Sequence, residues 1–169
     1  MPISHAGAVQ ISAKTDYALR ALCVLATAPA DSAVKAGTIA EQQGIPQAFL
    51  EGILVDLRRA GIVGSRRGPD GGHRLARPSY AITLADVVRV IDGPLALVHG
   101  HRPENLAYDG PAARLQDVWV AVRAGLRAVL ETTTLEQVVE GRLPPQVTAL
   151  CGSSRSWTSV WPPGTASDG

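Results

Sequence analysis

The stretch from Thr38 to Pro78, TIAEQQGIPQAFLEGILVDLRRAGIVGSRRGPDGGHRLARP, decides the fold. Thr38-Ile-Ala-Glu41 has the capping-box pattern, in which a hydroxyl and a carboxylate satisfy free N–H groups at a helix start. Gly44 suits the stop of that short helix, because glycine turns left-handed without steric cost. Pro46 suits the first turn of a second helix. Leu50, Ile53, Leu54 and Leu57 recur at i, i+3, i+4 and i+7 and give that helix one apolar face, and Gly61 closes it. Two short helices around a tight glycine turn, the second presenting Gln47, Ala48 and Glu51 at its start, read as helix-turn-helix. Ile62 to Arg67 then reads as a strand, Gly68 to Gly72 as a turn, and His73 to Arg77 as a returning strand. A helix-turn-helix followed at once by a basic hairpin is a winged helix. Between Leu57 and Ala85 the bases are Arg58, Arg59, Arg66, Arg67, Arg74 and Arg77, against Asp70 alone. That local excess marks a phosphate-contacting surface.

Length and composition bound the rest. The chain has 169 residues, a net charge of +1 and two cysteines, Cys23 and Cys151. This is enough for one domain with a tail, and too few cysteines for a disulfide framework. No window has the apolar run of a signal peptide or a membrane span, so the expected location is cytoplasmic, with no membrane partner. Paired catalytic carboxylates, a phosphate-cradling glycine loop and a nucleophile with a placed base are all missing from the pattern, so the reading is not an enzyme.

The fold class expected is mostly α with a small β-hairpin wing: a winged helix-turn-helix plus a long C-terminal dimerisation helix. Residues 1–10 read as a flexible N-terminus and 11–94 as the DNA-binding domain. Within it, Ser12 caps a helix from Ala13 to about Thr27, and Thr83-Leu-Ala-Asp86 caps another that ends at Gly93-Pro94. Lys14, near the start of the first helix, is placed to help that helix end meet a DNA phosphate. Residues 95–111 read as a sensor-type loop containing His99, His101, Glu104 and Asp109. Residues 112–141 hold the longest helical pattern and a short helix capped by Thr134. Leu115, Val118, Trp119, Val122, Leu126, Val129 and Leu130 form a stripe longer than a small domain needs for itself, which reads as a homodimer seam. Residues 142–169, rich in Pro, Ser and Gly, read as a disordered tail.

The runs SAKTDYALRAL, LVDLRRAGIVGSRRGPDGG and ITLADVVRVIDGPLA resemble the Rrf2 family of bacterial winged-helix regulators, over about Ile11 to Gly141. The resemblance implies a homodimer on a pseudo-palindromic duplex operator, mostly as a repressor. Many members hold an iron–sulfur cluster on three loop cysteines. The matching slots here fall near His101, Ala107 and Ala113, with a histidine slot near Gln116, and relatives that draw ligands from the first helix would meet Asp16 and Arg20. Thiolate is the ordinary ligand of such clusters, so no cofactor is expected. His99 and His101 are weak candidates for another metal. A small-molecule effector between the wing domain and the long helix is the preferred expectation.

For DNA, the expected contacts divide by chemistry. Gln47 offers a donor–acceptor pair to adenine, Glu51 accepts from a cytosine amino group, and Ala48 meets a thymine methyl. Phe49 suits core packing and DNA contact equally. Thr38 belongs to the same surface. Arg66, Arg67 and Arg74 suit phosphate or narrow-groove contact, Gly71 and Gly72 let the wing tip come close, and His73 packs or meets the backbone. Two alternatives share the fold: a protein–protein adaptor that ignores DNA, and a metal-dependent sensor with atypical ligands.

Overall fold

The computed structural model describes residues 11–158. The expectations for residues 1–10 and 159–169 lie outside the described residues. The elements in order are α1 (Ala13–Thr27), α2 (Ala36–Gln43), α3 (Gln47–Arg59), β1 (Val63–Arg66), β2 (Gly72–Leu75), α4 (Leu84–Ile91), α5 (Leu115–Leu130), α6 (Leu135–Val139) and α7 (Pro145–Cys151). The chain is mostly helical with one antiparallel hairpin, in the register Val63↔Leu75 to Arg66↔Gly72. None of its described helices is long and apolar enough to cross a membrane.

Local chemistry sets most boundaries. The Ser12 hydroxyl accepts from the Thr15 N–H at 3.0 Å and starts α1. Thr83 with Asp86, and Thr134 with Gln137, form complete capping boxes on α4 and α6. Gly44 at φ 62° and Gly61 at φ 69° end α2 and α3 left-handed. In each case the next residue's N–H reaches back into the helix, Ile45 to the Ala40 carbonyl and Ile62 to that of Leu57, both at 2.9 Å.

Two boundaries correct the sequence reading. α2 starts at Ala36 with Lys35 as an unassisted cap, so Thr38 lies inside the first turn and makes no capping box. The cause is tertiary. Val34 and His73 exchange two backbone hydrogen bonds of 2.8 Å, which makes Val34 a one-residue third strand beside β2 and fixes where extended chain becomes helix. Pro46 is the cap of α3, one residue before its first turn.

The core lies where α1, α3 and the return of α6 meet. Ala18, Ala21, Leu22, Leu50, Ile53, Leu54, Leu57 and Leu135 are all buried in it, with Ile39, Ile62, Val63, Ile82 and Val87 around them. Each large aliphatic side chain buried this way contributes about 1.5–3 kcal/mol. α5 is different, because no residue along it is fully buried. Its start is tied by Gln116, whose amide donates to the Glu104 carbonyl at 3.2 Å. Its far end is tied by the Leu84 N–H donating to the Thr133 carbonyl at 2.9 Å and the Leu135 N–H to that of Ile82 at 3.0 Å. Leu130 packs on Ala85, Val88 and Leu95 of its own chain and so takes part in a second small core.

The loop between α4 and α5 is folded. Val98 and His101 exchange two backbone bonds of 2.9 Å around His99 (φ 50°) and Gly100 (φ 79°), a tight turn followed by 3-10 turns at Pro103–Asn105 and Gly110–Ala112. Part of the expected disordered tail is likewise folded. Pro145 opens α7, Pro144 is buried, and Gln146 donates to the Thr132 hydroxyl at 2.7 Å.

Candidate nucleic-acid interface

The first turns of α3 leave Gln47, Ala48, Phe49 and Glu51 exposed, while the opposite face carries the four buried aliphatics. The amphipathic pattern of the second helix therefore presents its polar edge as a unit. The Gln47 amide donates to the Glu51 carboxylate at 3.2 Å, so the two base-reading candidates hold one another in the free protein. Thr38 is exposed on α2. Phe49 packs against α1 on one side and leaves the rest of its ring accessible. It is 49% exposed, and its ring stands edge-on to Tyr17 at 5.9 Å between centroids. The Arg20 guanidinium lies over the Tyr17 ring, 5.5 Å from its centre.

The wing carries Arg66, Arg67 and Arg74 on exposed positions. Arg66 donates to the Asp31 carbonyl at 3.2 Å, which ties the hairpin to the loop before α2. The ion pairs among the described residues leave Arg67 and Arg74 without a carboxylate. Gly71 and Gly72 are required for an intrachain reason. A Cβ on Gly71 would lie 2.4 Å from the Arg66 carbonyl oxygen, and one on Gly72 would lie 2.5 Å from that of Val34. The close approach expected against DNA is met first by the protein's own backbone.

His73 sits between wing and recognition helix. Its Nδ1 is buried with no hydrogen-bond partner among the described residues. Burial pushes its pKa down, the Arg58 charge adds to that, and Glu51 opposes both. The part-buried ring on β2 therefore favours its neutral form.

α1 departs from expectation. Lys14 Nζ lies 2.7 Å from Asp56 Oδ2 on α3, so its charge is already engaged. The start of α1 is occupied by a carboxylate that sequence reasoning missed: Asp92, at the end of α4, accepts from the Ser12 hydroxyl at 2.5 Å and the Thr15 hydroxyl at 2.8 Å. An acid at that helix end takes the place proposed for a phosphate. The two partners stand 80 and 77 residues away from Asp92, and nothing local announces the contact.

Metal-ligating groups do not converge among the described residues, where no three of His, Cys, Asp and Glu gather. His99 lies within the tight turn and His101 closes it, while Glu104 is paired with Arg123. Cys23 is half-buried in α1, its thiol pKa raised by burial, and Cys151 is exposed on α7. The loop that precedes α5 offers no thiolate, so its donor set does not fit an iron–sulfur cluster.

Comparison with other proteins agrees with this geometry. The profile of the Rrf2 family, described as iron-dependent transcriptional regulator, matches residues 11–141. A Mycobacterium tuberculosis protein named as an HTH-type transcriptional regulator is 48% identical over 152 residues, covering 90% of this chain and 94% of the relative. The HTH-type transcriptional regulator CymR of Bacillus subtilis is 34% identical over 130 residues, covering 77% and 89%. Among solved structures, that of CymR, the global cysteine regulator of B. subtilis, superposes with a TM-score of 0.68 at 33% identity over 79% of this chain and 98% of that one. The T. potens IscR structure does so at 0.64 and 31%, over 78% and 87%.

Proposed function

The chain belongs to the Rrf2 family of transcriptional regulators, with their DNA-binding fold, and on that footing we propose that it acts as a homodimeric, cytoplasmic repressor on a pseudo-palindromic operator. The observation that carries the reading is the juxtaposition of an exposed Gln47–Ala48–Glu51 edge with a wing bearing Arg67 and Arg74, which have no ion pair among the described residues. The helix supplies base-edge donors and acceptors, and the wing supplies phosphate charge. Residues 11–94 do the binding. The α5 face of Leu115, Val118, Trp119, Val122, Leu126 and Val129, exposed or half-exposed in the single chain, is the seam that pairs two such units. Residues 95–111 form the responsive loop, and the signal is a small molecule without an iron–sulfur cluster, since the loop holds no thiolate to ligate one.

Selection of bound fragments from the source genome, followed by footprinting across salt concentrations, tests this. The expected result is two half-sites about one helical turn apart and an affinity that falls steeply with salt. Indifference to every duplex at low ionic strength would overturn it in favour of the adaptor reading.

A further inference from the structure

A cavity of about 390 Å³ opens between the end of α4, the loop after it and the inner edge of α5. Its size suits a small metabolite. Arg89 from α4, Arg102 from the loop and Arg123 and Arg127 from α5 line it, with Glu104. Glu131 accepts from Arg127 Nε at 2.9 Å and from Arg89 as well, so one carboxylate serves two guanidiniums. Glu104 serves Arg123, which is only 19% exposed. Arg102 makes no ion pair among the described residues, although its charge reaches Glu104. Four guanidiniums thus share two carboxylates, leaving an excess of two positive charges around one concave space. Arg123 and Arg127, four residues apart on one helix face, also repel one another.

Guanidiniums so crowded are stabilised by an oxyanion that accepts from several at once, and planar forks favour carboxylate or phosphate oxygens. We infer that this cavity is the recognition site for a small metabolite bearing at least two anionic groups, held by Arg89, Arg102 and Arg127. The inference rests on the small-molecule reading above and gives it a chemical class. The site also has a route to the seam. Glu131 joins Arg89 of the winged-helix domain to Arg127 of α5, so an anion that relieves Glu131 of one arginine loosens the tie between the DNA-binding body and the helix that pairs the two chains.

Isothermal titration of the full chain with sodium citrate and with sodium phosphate, each against sodium chloride at matched ionic strength, tests the assignment without DNA. The expected result is saturable binding of citrate or phosphate, one per chain, and none of chloride. Preference for citrate identifies a polycarboxylate and preference for phosphate a phosphorylated metabolite. Arg102→Ala, on an exposed loop where the fold does not depend on it, should weaken binding about tenfold or more. Arg67→Ala on the wing should leave it unchanged. No saturable binding by either anion, or binding lost with Arg67→Ala and kept with Arg102→Ala, would overturn the site. Either result leaves DNA binding to be judged separately, by the operator titration.

Discussion

Lys14 Nζ on α1 sits 2.7 Å from Asp56 Oδ2 on α3, and this ion pair separates Lys14 from the arginines of the wing. The hydrogen bond and charge of Lys14 hold the Asp56 carboxyl below its ordinary value. A cation already neutralised releases few counterions when DNA arrives, whereas Arg67 has no such partner among the described residues. In titrations of operator DNA across salt, Arg67→Ala should reduce the slope of log affinity against log salt by about 0.9. Lys14→Ala should change it by clearly less. Equal changes from the two would mean that Lys14 leaves Asp56 for a phosphate.

Glu51 and Gln47 hold one another at 3.2 Å on the exposed edge of α3, which positions both for base edges. Glu51→Ala should change which base is preferred at one operator position, with a loss of about 1–3 kcal/mol of discrimination there. Binding to random duplex should stay near that of the unaltered chain. Competition between operator variants differing at single base pairs measures this directly, and a uniform loss across all of them would remove Glu51 from base reading.

Acid should act on stability in two separate windows. His73 is depressed below its ordinary 6.5, mainly by burial, so the fold prefers the neutral ring. Its contribution is complete above pH 6.5 and is lost as pH falls through the folded value. Asp92 is pushed up by burial but down further by the Ser12 and Thr15 hydrogen bonds, with a net fall below its ordinary 3.8. Its contribution is complete above pH 3.8 and disappears at lower pH. Denaturant unfolding across pH should therefore show His73→Gln flattening the upper window alone. Asp92→Asn should lower stability at neutral pH by about 1 kcal/mol and make the lower window shallower, with Asp56 keeping part of it, while the upper window is unchanged.

How much of this the sequence carried follows the range of the interactions. Ser12, Thr83 with Asp86, Thr134 with Gln137, Gly44 and Gly61 act within a few residues, and their helix ends fell where those signals stand. The α3 stripe showed the core face directly. Thr38 misled because the start of α2 is set by Val34 pairing with His73, across 39 positions of sequence. Periodicity placed Leu130 in the long stripe but could not say whose core it enters. Pro144-Pro145 starts a helix in a stretch whose composition reads as tail. The carboxylate of Asp92 at the head of α1, and the arginines that α4, the loop and α5 bring to one cavity, exist only after folding.

Gly71 is held by sterics, and the wing should depend on it. A methyl group there would meet the Arg66 oxygen at 2.4 Å and the Gly68 oxygen at 2.8 Å, both backbone atoms that cannot swing aside. Gly71→Ala should destabilise the chain by about 1–3 kcal/mol and displace the hairpin tip. Affinity should then fall for operator and random DNA alike, because Arg67 is carried on the displaced segment. Unchanged hydrogen exchange across β1 and β2 in that variant would contradict the steric account.

The apolar residues of α5 are of two kinds, and substitutions of each kind should separate pairing from stability. Val122 is 36% exposed at the middle of α5, on the same face as Leu115, Val118 and Val129, whereas Leu130 touches Ala85, Val88 and Leu95 of its own chain. Successive helical residues turn by about 100°, which places those four residues within a sector of about 60°. A charge at Val122 is well tolerated in water and poorly tolerated against a symmetry mate, where it would be buried unpaired and face its own copy. Val122→Glu should therefore keep its helical spectrum and yet sediment as a monomer. With one half-site engaged at a time, its operator affinity should fall by about a hundredfold or more while the salt slope shrinks to about half. Leu130→Ala should do the reverse, lowering the melting temperature while the chain stays paired. A Val122→Glu chain that remains a dimer would move the seam off this face of α5.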